Sequence, residues 1–118
     1  MKPATTYAIA RLTFGVAALA VPGTSGPLLA GEGGGAPDAQ AFLRGMGGRE
    51  IGLGLGLLGA IRANRPVGPW LIAGVLADCS DIAGMAGAWA HIPRTKRWLG
   101  IGMVGATAAV GAALLAKT

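Results

Sequence analysis

Arg44-Gly-Met-Gly-Gly-Arg-Glu-Ile-Gly-Leu-Gly-Leu-Gly-Leu-Leu-Gly-Ala-Ile-Arg62 is the stretch whose reading decides the fold. Its purely apolar part, Ile51 to Ile61, is too short to cross a hydrocarbon core of about 30 Å at about 1.5 Å per residue. A spanning helix here has to extend back through Glu50 and Arg49 to about Phe42, which carries ionisable groups to membrane depth. Their partners then become the main question that the rest of the chain has to answer.

The surrounding composition selects the bilayer as solvent. Of 118 residues, 53% are hydrophobic and 13% are charged, with a mean hydropathy of +0.57, unlike an ordinary soluble domain. The 22 glycines lie within apolar runs, where small residues permit close helix contact, rather than in the polar, charged context of a disordered segment. The length suits one domain, residues 1–118. Cys79 stands alone in an apolar stretch and reads as a small hydrophobe.

Working outward, the expected fold is all-α, an integral membrane bundle of four transmembrane helices at about 5–21, 42–61, 70–91 and 98–115. The first segment holds Arg11 and is closed by Pro22. A cleavable signal peptide is its rival reading, with Lys2 and Arg11 as the basic region, Leu12 to Leu19 as the apolar core and Ala18-Leu19-Ala20 as a cleavage site. Residues 22–40, rich in Gly and Pro, read as a long flexible loop. Asn64, Arg65, Pro66, Gly68 and Pro69 form a tight turn, and Ile92 to Arg97 form a short cationic loop. Trp70, Trp89 and Trp98 fall near segment ends, as an aromatic belt requires.

The net charge of +5 does not point to nucleic acid, because the cations outside the apolar segments (Lys2, Arg62, Arg65, Arg94, Lys96, Arg97 and Lys117) are scattered at segment ends, where they meet lipid headgroups. No groove-binding stripe forms. Positive residues are nearly balanced between the two sides. The stretch from Pro22 to Leu43 holds no Lys or Arg and would translocate easily, so the expected location is the cytoplasmic membrane, multi-pass, with cytoplasmic termini.

Six charges fall at membrane depth: Arg11, Arg44, Arg49, Glu50, Asp78 and Asp81, which sum to zero. Each costs about 2.5–3.5 kcal/mol at a helix centre on insertion scales, so pairing between helices is expected. Asp78 and Asp81 are three residues apart and share one face of the third helix with Leu71 and Gly74. Arg49 lies near the stripe of Gly45, Gly52, Gly56 and Gly59, and Gly48, Gly52 and Gly56 repeat every four residues as a glycine zipper expected to form the helix contact groove. Glu50 points about 100° away from Arg49, which makes Arg49 an unnatural partner for it. The expected layer has Arg49 facing Asp78 or Asp81, and Arg11 or Arg44 meeting Glu50.

Other motifs dissolve on inspection. Gly54-x-Gly56-x-x-Gly59 matches a dinucleotide fingerprint literally, but no strand precedes it and no suitable acid follows. Gly31 to Gly35 lacks the Gly-Lys-Ser/Thr ending of a phosphate loop. Asp78-x-x-Asp81 offers two oxygen ligands for Mg²⁺, short of the further carboxylates that metal-phosphate chemistry uses. His91 stands alone at a helix end, and no serine or threonine has a histidine at readable spacing. No catalytic, metal or cofactor residue is assigned.

At Arg44-x-x-Gly47-x-Arg49-Glu50-x-Gly52, followed by Asp78 and Asp81 one helix later, the chain resembles a family of small bacterial membrane proteins of uncharacterised function, with about four helices, a similar Arg-x-x-Gly-x-Arg start to the second helix and an Asp in the third. The resemblance implies a membrane bundle and no known activity. The expected function is a non-enzymatic accessory or structural subunit, in contact with membrane lipids and working as a homo-oligomer or in a larger membrane complex. A small proton-coupled transporter using Asp78, Asp81 and Glu50 is the alternative, and a lipid-binding or lipid-modifying protein the third. Small exporters of this size carry an acid in the first helix, where this chain has Arg11.

Overall fold

The computed structural model describes residues 1–118. The chain is all-helical, without strands: α1 (Pro3–Ala20), α2 (Pro22–Ala30), α3 (Pro37–Arg62), α4 (Gly68–Gly87) and α5 (Arg94–Ala116), with 3₁₀ turns at Glu32–Gly35 and Trp89–His91. The molecule measures 43 × 25 × 21 Å. Its main pairings are α1 with α3 and α4 with α5.

Prolines open most of the helices. Pro3, Pro22, Pro37 and Pro69 each sit at the first or second helical position, where a missing N–H has no intrahelical partner to lose. Asn64, with φ +54°, ends α3 in the left-handed region, and Arg65 N–H returns to Ala60 O at 2.8 Å, the closure of a helix C-terminus by a residue that tolerates this conformation.

The packing face of α3 comprises Leu43, Gly47, Glu50, Gly54, Leu57 and Ala60, spaced by steps of four or three, which is the seam of closely aligned helices. It meets Tyr7, Ala8, Arg11, Gly15 and Ala18 of α1. Contact is backbone to backbone. A Cβ on Gly15 would lie 2.7 Å from Gly47 O, one on Gly47 would lie 2.7 Å from Gly15 O, and one on Gly54 would lie 2.9 Å from Ala8 O.

That geometry corrects the glycine repeat. Gly48 and Gly52 have open space where a Cβ would stand, and Gly56 is covered by the Trp70 ring rather than by a helix backbone. The reason is rotational: α3 carries small residues on more than one face, and the face bearing Gly47 and Gly54 also brings Glu50 inward. Residues 22–40 also differ from the loop expected. They form α2, bent 112° from α1, a 3₁₀ turn in which Gly34 packs against Gly26, both glycines lacking the Cβ that would forbid it, and the first residues of α3. Arg94, Lys96 and Arg97 belong to the first turn of α5 and not to a loop.

Two helices, α4 and α5, are long and apolar enough to cross a membrane, and the count rises to three if the bent pair α1 and α2 is one span. The sequence expectation was four. The shortfall lies in α3, where Asp38, Arg44, Arg49, Glu50 and Arg62 occupy 26 residues, and in α1, which includes Arg11 and qualifies only together with α2. Many large apolar side chains nevertheless face outward, among them Leu55, Leu76, Trp98 and Leu99. Only 19 of 118 residues are buried, and the apolar windows of α4 and α5 are 17% and 11% buried, so the helices are apolar on faces that the chain does not cover. Such all-round apolarity is compatible with a membrane protein.

Candidate functional site

The buried layer is built by three helices that each deliver a charged residue on their packing stripe. Arg11 on α1, Glu50 on α3 and Asp78 on α4 are 3%, 5% and 3% exposed. Arg11 Nη1 donates to Glu50 Oε2 at 2.5 Å and Nη2 donates to Asp78 Oδ2 at 2.7 Å. The same Nη2 is 3.0 Å from Gly74 O and 2.7 Å from the Tyr7 hydroxyl oxygen. One guanidinium therefore fastens α1 to both α3 and α4. Its planar, forked set of donors is what lets a single side chain reach two carboxylates at once.

Space for this fork comes from glycines. A Cβ on Gly74 would stand 3.0 Å from Arg11 Nη2 and 3.1 Å from the Tyr7 hydroxyl, and one on Gly111 of α5 would stand 2.7 Å from that hydroxyl. Tyr7 is thus wedged between α4 and α5, one turn before Arg11 on α1. The Arg11 guanidinium carbon also lies 4.9 Å from the Tyr7 ring centroid. Tyr7 has no place in the layer expected from sequence. The available signal was its i, i+4 spacing to Arg11, which places both on one helical face.

A second fork extends the layer towards the surface. Arg49 Nη1 and Nη2 donate to Asp81 Oδ1 and Oδ2 at 3.1 and 2.7 Å, and Nη2 also reaches Glu50 Oε1 at 3.2 Å. The Arg49 side chain is 34% exposed and that of Asp81 18%. The Arg49–Glu50 contact departs from the expectation that these neighbours point apart. The long Arg49 side chain bends back far enough to share Glu50 with Arg11. The Nε atoms of Arg11 and Arg49 have no hydrogen-bond partner in the chain.

Arg44 stands outside. It is exposed on α3 and makes none of the chain's salt bridges. The physical reason is its position between Leu43 and Gly47, off the buried stripe that Leu43, Gly47 and Glu50 define. Without it the layer holds two guanidiniums and three carboxylates, a formal sum of −1 instead of zero. Oxygen atoms of Glu50, Asp78 and Asp81 all lie within 4.8 Å of one another. Guanidinium nitrogens already occupy five of their oxygens, so the arrangement is that of an ion-pair network more than of an open metal cage.

His91 is exposed in the 3₁₀ turn after α4 and makes no ion pair with this layer. Cys79 is exposed on α4 beside Asp78. Comparison of the chain with protein-family models, with curated proteins and with solved structures found no match.

Proposed function

We propose that this chain is a small, non-enzymatic integral membrane protein, an accessory or structural subunit that works as a homo-oligomer or within a larger membrane complex. The observation that carries this reading is the Arg11 fork, a buried charge that joins three helices and has both acids within hydrogen-bond reach. Buried networks of this kind commonly fix helix arrangement, and a bundle held mainly by small residues has few other features to fix its register. The reading also takes α3 into the membrane alongside α1, despite its charges. Glu50 and Arg49 are neutralised by partners on other helices, which lowers the cost that composition alone assigns to them. The location that goes with this reading is the cytoplasmic membrane, with cytoplasmic termini.

Association is supported by the surface left over. Gly45, Gly48, Gly52 and Gly59 on α3, and Gly102 and Gly105 on α5, have no neighbour within 4 Å of a Cβ position. A helix of a second copy or of a partner could approach these rows closely. Two experiments test the reading. Cys79 is exposed in the isolated chain, so a membrane-impermeant maleimide should leave it unmodified in open membrane vesicles and modify it after denaturation; rapid labelling in the vesicles would refute the membrane placement. Purification in mild detergent should give a defined oligomer or a stoichiometric partner, and a monodisperse monomer would refute the subunit reading.

The excess carboxylate favours a second reading, a small proton-coupled transporter. One bound proton would cancel the formal −1 of Glu50, Asp78, Asp81, Arg11 and Arg49. The variant pair Asp78→Asn and Asp81→Asn separates the two: loss of assembly supports a structural role, whereas normal folding with loss of proton-coupled flux supports transport.

A further inference from the structure

We infer that the groove between α1, α2 and α5 holds one acyl chain of an anionic phospholipid, with its phosphate against Lys96. This rests on the membrane reading above and names the lipid class. The cavity measures about 310 Å³, at the lower end of the about 300–1,000 Å³ of clefts that hold a ligand. Its walls include Phe14 and Ala18 of α1, Leu29 of α2, and Leu99 and Met103 of α5, and Lys96 is its one charged wall residue. Lys96, Leu99 and Met103 follow one another at steps of three and four along α5, so a single helical stripe passes from a cation at its start to apolar side chains further in. A phospholipid has the same gradient.

Charge selects the headgroup. Arg97, the neighbouring cation, is committed: it donates to Ile92 O through Nε and Nη2 at 3.1 and 2.9 Å and lies 5.1 Å above the Trp89 ring. Lys96 is half-buried and makes no ion pair or hydrogen bond through its side chain. Glu32, the acid in the nearby 3₁₀ turn, pairs with none of the cations at this end. Trp98, two residues after Lys96, stacks edge to face at 5.4 Å on Trp89 of the preceding 3₁₀ turn, and paired indoles at the end of an apolar segment belong at headgroup level. An ammonium at that level, above an apolar groove and without an acid of its own, complements a lipid phosphate.

The test uses the full chain reconstituted in two kinds of bilayer, phosphatidylcholine alone and phosphatidylcholine mixed with phosphatidylglycerol, followed by gentle extraction and native mass spectrometry of retained lipid. Phosphatidylglycerol should be retained in preference to phosphatidylcholine. Lys96→Gln should cut that preference about fivefold, Leu29→Trp should remove retention of both lipids by filling the groove, and Lys117→Gln should leave both unchanged. Equal retention of the two lipids by the native chain overturns the inference, as does an equal loss from Lys96→Gln and Lys117→Gln, or displacement of the lipid by inorganic phosphate alone. Failure of the chain to enter either bilayer would instead overturn the membrane reading, so the two failures are distinguishable.

Discussion

Gly15 and Gly47 meet backbone to backbone one helical turn from the Arg11–Glu50 ion pair, so the closest approach of α1 and α3 and their buried charges occupy adjoining layers of the same seam. The two features depend on each other. Close approach excludes water from the guanidinium and carboxylate, and the pair in turn fixes which residues of the seam face each other. A shift of either helix by one residue would rotate its charge about 100° out of the seam.

Arg11→Met should be the most damaging single change in the layer. It leaves Glu50 and Asp78 buried without their shared cation, and breaking a buried pair by removing one partner costs about 3–5 kcal/mol. Arg11→Lys should recover part of that loss, since one ammonium cannot reproduce two forked contacts. Arg44→Gln, at an exposed position outside every ion pair, should change stability by less than about 0.5 kcal/mol. Thermal unfolding in detergent checks the order Met, Lys, native for position 11; equal effects at positions 11 and 44 would contradict it.

The two aspartates should not be equivalent. Asp78 is 3% exposed and meets Arg11, whereas the Asp81 side chain is 18% exposed and meets an Arg49 that is one-third exposed. Solvent near the outer pair reduces both the cost of leaving a charge unpaired and the value of pairing it. Asp78→Asn is therefore expected to lower the melting temperature well below the effect of Asp81→Asn, with a reversed order counting against the geometry.

Glycines on the two sides of α3 should respond differently to alanine. Gly47→Ala places a methyl group against Gly15 O and Leu19 N, an overpacking worth about 1–3 kcal/mol. Gly52→Ala meets nothing within the chain, so the protomer should melt as the native chain does or slightly higher, because alanine favours helix by about 1 kcal/mol over glycine. If the open row forms a contact between copies, Gly52→Leu should weaken self-association without unfolding the protomer. Size-exclusion chromatography alongside thermal melting reads both quantities.

Tyr7→Phe removes one acceptor from Arg11 Nη2 while keeping the ring beneath the guanidinium. Because Nη2 retains Gly74 O and Asp78, the expected cost is about 1 kcal/mol. Tyr7→Ala, which also loses the ring from the cluster of Ala8, Leu57 and Leu71, should cost about 3–5 kcal/mol. A Phe variant as unstable as the Ala variant would assign the whole effect to the hydroxyl.

The amino-acid sequence by itself determined that the chain is helical and unusually apolar, which charged residues fall within the apolar segments, and that Asp78 and Asp81 share a face, because hydropathy and a 100° step per residue are properties of one helix at a time. It also narrowed the partner of Glu50 to Arg11 or Arg44, the cations at membrane depth other than its own neighbour Arg49. Tertiary structure decided what depends on how two helices are rotated against each other. Gly47 and Gly54, not Gly48 and Gly52, form the contact with α1, and a helix with glycine on several faces gives no local reason to prefer one. Arg44 is left outside by that same rotation, which turns an expected charge balance into an excess of one carboxylate. In the Gly- and Pro-rich residues 22–40, α2 and the 3₁₀ turn pack on each other through Gly26 and Gly34, a contact between segments that local composition cannot express.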